Sequence, residues 1–161
     1  YLMRPDGTGL FQITNTPDLQ EGGAQWMPDG KRIIYRAWKI QDQGQRGLPM
    51  QIFTITPDGT GVNQITSEAG TNWAPFPAPD GRHFVFVKFL PPGNFEVFMM
   101  DLVSGQQQRL TFNDAFDGFP AISPDGQWMG FSSTRGGKPG ERKMFMYLMD
   151  ISSLHVGPAG R

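Results

Sequence analysis

The 161 residues include 21 glycines and 14 prolines scattered among short apolar runs, a composition that argues against long helices and for a single all-β domain. The formal net charge of -1, with acidic and basic side chains mixed along the chain, offers no electrostatic attraction to nucleic acid or to an anionic membrane. The lack of cysteine excludes disulfides and thiolate metal sites, and no apolar run approaches the roughly 20 residues of a membrane helix.

In chain order, the first stretch aligns Tyr1 with Phe53, so it reads as a third strand, a Pro5-Asp6-Gly7-Thr8-Gly9 turn and a fourth strand ending at Ile13-Thr14. A hairpin follows, Ala24-Gln25-Trp26-Met27-Pro28-Asp29-Gly30 running into Lys31-Arg32-Ile33-Ile34-Tyr35. The same hairpin returns around Pro79-Asp80-Gly81 and Pro124-Asp125-Gly126, so its prolines fall at 28, 79 and 124. Proline presets φ, aspartate bonds its own backbone and glycine takes positive φ, which makes Pro-Asp-Gly a turn rather than a ligand site. Upstream of each hairpin stands a strand-ending threonine, Thr14, Thr66 or Thr111. Between hairpin and threonine lies a third run, Gln51 to Ile55 in one repeat and Glu96 to Leu102 in the next.

Repeats of 51 and 45 residues with four strands each have the period of propeller blades. The expected division is the end of a blade at 1–14, blades at 15–66 and 67–111, an incomplete blade at 112–153 and a tail at 154–161. A ring needs at least about four blades, so closure calls for further blades or a second copy of the chain. Tight turns occupy one face. The other carries unequal second-to-third loops, Lys39 to Pro49, Leu90 to Phe95 and Arg135 to Arg142, and loops of that kind tend to carry function. Trp26, Phe76 and Ile122 are expected in the core, as are Met99, Met100, Met144, Met146 and Met149, because blade sheets are covered on both faces.

The Pro-x-x-Ser-Pro-Asp-Gly hairpin at 120–126, the strand ending Phe131-Ser132-Ser133 and the Leu110-Thr111 element resemble the TolB-type, WD-like β-propeller repeats over nearly the whole chain. Ala24 departs from the prolines at 75 and 120, and Arg36 and Val87 stand where Ser132 does. The resemblance implies a partial propeller, six-bladed when complete, in the periplasm or another extracytoplasmic space. It is specific to fold and weak as to function, because such blades also serve prolyl oligopeptidase-type peptidases and polysaccharide lyases.

No Gly-x-Ser-x-Gly elbow is present, and the two histidines, His83 and His155, occupy unrelated repeat positions. The expected function is therefore a non-catalytic module that binds a protein or a small polar ligand, without cofactor or metal; the alternative is the propeller of an enzyme whose catalytic part lies elsewhere. Blade geometry places the site. Glu21, Asn72 and Asp117 each precede a hairpin proline by seven residues and are expected on the crossovers, ringing the channel mouth. Trp73 follows as an exposed aromatic for stacking. Arg36, Lys88 and Arg135, with Lys138 and Arg142, are expected to form a basic surround. A purely structural use of the ring residues, capping crossover amides, is the competing expectation.

Overall fold

A computed structural model describes residues 1–158 except 46, 139 and 142. Each hairpin closes as its turn chemistry dictates. Asp29 Oδ1 accepts the Lys31 N–H at 2.8 Å, Asp80 Oδ1 that of Arg82 at 2.9 Å and Asp125 Oδ1 that of Gln127 at 3.0 Å. The strands on either side of these turns pair into antiparallel sheets. The first has the order β1 (Leu19–Trp26), β2 (Ile33–Lys39), β3 (Gln51–Ile55) and β4 (Asn63–Gln64). The second runs β5 (Asn72–Pro77), β6 (His83–Leu90), β7 (Asn94–Asp101) and β8 (Gln107–Arg109). The third contains β9 (Asp117–Ile122), β10 (Trp128–Ser133) and β11 (Phe145–Asp150). Ahead of them an isolated bridge pairs Leu2 with Phe11 across the Pro5–Gly9 turn.

The loops differ from expectation at two places, the first being Lys39, which is the last residue of β2 rather than the start of its loop. The β6–β7 ladder runs unbroken from the His83–Asp101 pair to the Leu90–Asn94 pair, so Leu90, Asn94 and Phe95 are strand residues and only 91–93 turn the chain. Arg142, the expected end of the third such loop, lies outside the described residues, as do 159–161 of the tail.

Alternate residues of a strand point to opposite faces, and in the middle sheet both faces meet a neighbour. Phe84, Phe86 and Met100 join Met27, Ile34 and Ile52 of the first sheet in one core. Val85, Val97 and Met99 join Ile122, Met129 and Phe131 of the third in another. This explains the uninterrupted burial of Phe84-Val85-Phe86-Val87, all 0% exposed. The outer sheets behave otherwise. Strand β11 alternates, with Phe145, Tyr147 and Met149 turned inward. Met146 is 82% exposed and Met144 51%, so neither fills the core as expected. Trp26, also expected inside, is 52% exposed because its face of the first sheet meets only the segment of Tyr1, Leu2 and Ile13, across an open cavity of about 400 Å³.

Burial on both faces removes water from the polar groups between third and fourth strands, and the strand-ending threonines replace it. Thr66 Oγ1 accepts the Ile52 N–H at 2.9 Å and donates to Gln51 Oε1 at 2.7 Å. Thr111 Oγ1 accepts the Val97 N–H at 2.9 Å and donates to the buried carboxylate of Glu96. Glu96 Oε1 also takes Arg109 Nη2 at 2.8 Å, Asn94 Nδ2 at 2.8 Å and the Asn113 N–H at 3.0 Å. Sequence reading saw the threonines and missed the glutamate.

Replacing Thr111 by valine keeps the shape and strips one donor and one acceptor from this dry site. Urea unfolding of the full-length protein should show a loss of about 1–3 kcal/mol. A Thr8→Val control in an exposed turn should cost less than about 1 kcal/mol. The isolated 161-residue chain, with Met146, Leu148 and Trp26 uncovered, is expected to self-associate and bind a hydrophobic dye. A monodisperse monomer that leaves the dye dark contradicts this.

Candidate binding site

The innermost strand of each sheet breaks its ladder at the same place. Registers shift between Gly22 and Gln25 in β1 and between Trp73 and Phe76 in β5, and β9 shifts opposite the Gly130–Ser132 step of β10. In each bulge the residue five positions before the turn proline takes positive φ: Gly23 at 65°, Ala74 at 50° and Phe119 at 55°. Glycine adopts this region freely, whereas a side chain there costs on the order of 1–3 kcal/mol. The strain at Phe119 has a visible product, since its ring stands edge-on to Trp73 at 4.9 Å.

At Gly23 the missing side chain is the point. A Cβ there would sit 2.6 Å from Arg36 Nη1, so the guanidinium occupies space that only glycine leaves. Arg36 projects from β2 between two indoles, with its Cζ 5.9 Å from the ring centroids of both Trp38 and Trp73. Cation–π attraction of about 0.5–2 kcal/mol holds such an arrangement. Trp73 is braced in turn by Phe95 at 6.2 Å and Phe116 at 6.3 Å.

The Arg36 side chain has no hydrogen bond or ion pair among the described residues, and its Nε is buried without a partner. The Nε1 atoms of Trp38 and Trp73 are buried and unpartnered too. Burial pushes the Arg36 pKa down, yet a guanidinium starts so high that it stays charged at neutral pH. Two openings share Arg36 and Trp73. One, of about 410 Å³, lies against the 40–50 loop and is walled by Leu48, Met50 and Phe95; the other, of about 260 Å³, is walled by Pro75, Phe119 and Pro120.

The other expected site residues are placed differently. Asn72 and Asp117 are the first residues of β5 and β9 rather than crossover residues, and both are 0% exposed, so they do not ring an open mouth. Their side chains engage other side chains instead of capping amides: Asn72 Nδ2 donates to Gln51 Oε1 at 3.2 Å and Asp117 pairs with Arg135. Half-buried Glu21 accepts from Thr14 Oγ1 and Thr16 Oγ1, each at 2.6 Å. Lys88 donates to Gln107 Oε1 at 2.9 Å and lies 3.6 Å from Glu68. Arg135 stacks over Phe131 and Tyr147. Trp73, expected as an exposed aromatic, is half-buried because Phe95, Phe116 and Phe119 surround it. Of the seven, the fold brings Arg36 and Trp73 together at the two openings and pairs Asp117 with Arg135 in the third blade. Sequence reading missed Phe119 and Gly23, although their shared offset from the hairpin proline was available as a signal.

Doubly covered antiparallel sheets with crossovers from an outer to an inner strand define a partial β-propeller. The model of the TolB beta propeller domain matches residues 50–157, and the chain belongs to that family. A TolB homolog of Chlorobium luteolum is 36% identical over 122 residues, covering 65% of this chain and 26% of that protein. The crystal structure of TolB from Acinetobacter baumannii superposes with a TM-score of 0.73 at 27% identity, over 92% of this chain and 34% of that one. An oligogalacturonate lyase in complex with manganese, at 20% identity and a TM-score of 0.64 over 92% of this chain and 40% of that one, shares the fold alone. The chain spans 20% to 55% of the length of the curated relatives it matches.

Gly23→Ala places a side chain at positive φ and displaces Arg36. It should lower stability by about 1 kcal/mol or more, whereas Ala74→Gly at the equivalent bulge should be neutral or stabilising by up to about 1 kcal/mol. Thermal melts of the two variants check the opposed signs.

Proposed function

We propose that this chain is a non-catalytic binding module of an extracytoplasmic TolB-like propeller, engaging a protein or a small polar ligand through the face of its crossovers and second-to-third loops. The observation that carries the reading is the unpaired Arg36 guanidinium between Trp38 and Trp73, opening onto one groove beside the 40–50 loop and a second along the inner strands. Arg36 is half-buried with only its Nε sealed from water, so its Nη groups face the openings, and a guanidinium without an anion in its own chain has a partner to gain there. Family membership and the likeness to TolB proteins support a binding role and a location outside the cytoplasm. The non-catalytic part of the reading rests on the sequence, which has no nucleophile elbow.

Photo-crosslinking in cells tests the choice of face. A photoreactive amino acid at exposed Gln45, on the crossover side, or at exposed Gln25, on the inner strand lining the second opening, should give discrete adducts that Arg36→Gln suppresses. The same probe at exposed Lys31 or Gln127, on the turn side, should give none. Equal adducts from both sides, or none from Gln45 and Gln25, overturn the assignment.

A further inference from the structure

We infer that the Arg36–Trp73 groove binds the side-chain carboxylate of an acidic residue in a protein segment, with an adjacent apolar residue of that segment against the aromatic wall. This rests on the reading of the crossover face as a binding surface and names the chemistry it accepts.

The inference starts from a comparison of cations. Lys88 has Glu68, Arg109 has Glu96 and Arg135 has Asp117, so each of these charges is answered within the chain. Arg36 is not. Arg36 and Trp73, which line both openings, each carry a buried donor without an acceptor, Arg36 Nε and Trp73 Nε1, while Trp38 Nε1, a third such donor, belongs to a ring that lies against Arg36 but lines neither opening. A group that complements donors only should itself only accept; a backbone carbonyl does so too, but among side chains the ionised carboxylate alone adds the opposite charge and receives the two parallel bonds a guanidinium offers. Asn72 Oδ1, an unpaired acceptor next to Trp73 in sequence, lines neither opening.

The walls favour a peptide over an acidic sugar. Leu48, Met50, Phe95, Pro75 and Phe119 offer apolar area, while Gln45, Thr71 and Gln25 are the polar side chains on the two openings besides Arg36. A uronide ring can stack a C–H face on an aromatic wall, but the hydroxyls around its edge call for more hydrogen-bonding side chains than these walls supply. A glutamate beside leucine or phenylalanine needs one cation and an apolar wall. With one unpaired cation, the groove matches one negative charge, not the two of a phosphate monoester.

Titration of the full-length protein with N-acetylated, C-amidated hexapeptides tests this. One set carries a single glutamate beside leucine or phenylalanine, and the matched set carries glutamine. The glutamate set should bind at least about tenfold more tightly at low salt, with the advantage shrinking as salt rises. Arg36→Gln should abolish the difference between sets in a variant that still unfolds cooperatively. Arg36→Lys, which keeps the charge and loses the fork, should retain part of it and serves if the glutamine variant fails to fold. Equal affinity for the two sets, or a preference that survives Arg36→Gln, overturns the inference. Tighter binding of oligogalacturonate or inorganic phosphate than of the glutamate peptides also overturns it. If no peptide binds while the Gln45 and Gln25 crosslinks persist, the carboxylate assignment falls and the binding face stands. If both fail, both fall.

Discussion

Coverage of a sheet on both faces is the constraint from which most of this structure follows. A strand buried on one side can leave its polar groups to water on the other; a strand of the middle blade cannot. Its two faces feed separate cores, Phe84 and Phe86 on one side and Val85 and Val97 on the other, so the sequence must be apolar without interruption. Where the short outer strands end, the ladder runs out before the burial does. There Thr66 and Thr111 each satisfy a third-strand N–H, and Gln51 or Glu96 takes the threonine proton. Glu96 is an expensive solution. A wholly buried carboxylate is tolerable because Arg109, Asn94, Thr111 and the Asn113 amide supply donors around it.

The same constraint pushes variability to the crossover face and to the bulges that precede it. An inner strand pairs on one side only, so it can bulge without breaking a second ladder, and all three do so at the same offset from the turn. One backbone device then has three uses. Gly23 yields space to Arg36, Ala74 lies along the groove, and Phe119 reaches out to Trp73 of the preceding blade.

The fold was legible because turn chemistry is local: Pro-Asp-Gly at a regular spacing announces a hairpin and its repeat, and the family it resembled is the family found. Burial was less legible, because an apolar strand does not say whether a neighbour covers it. Met146 and Tyr147 are equally apolar in sequence, yet only Tyr147 meets a core. Within the site, offsets along the repeat put Arg36 and Trp73 on adjoining blades, where the structure brings their side chains together. They failed for Asn72 and Asp117, since the start of a strand and the mouth of a channel differ by one residue's direction. Phe119 was missed for another reason: only its repeat offset, shared with Gly23, marks it, because positive φ at a non-glycine residue is a strained state that the residue type does not announce.

The groove arises at one blade junction because two equivalent positions trade size. Six residues before the turn proline stand Gly22, Trp73 and Gly118; their ladder partners on the second strands are Arg36, Val87 and Ser132. In the first blade the small residue is on the inner strand and the long cation on the second. In the next blade the large residue is on the inner strand, and it is this indole that meets Arg36 across the junction. Serine with Gly118 in the third blade brings neither a charge nor a large ring. Repetition of the backbone therefore does not repeat the chemistry. A single complementary mismatch, long cation against large aromatic, leaves a half-buried guanidinium whose charge no carboxylate of the described chain answers.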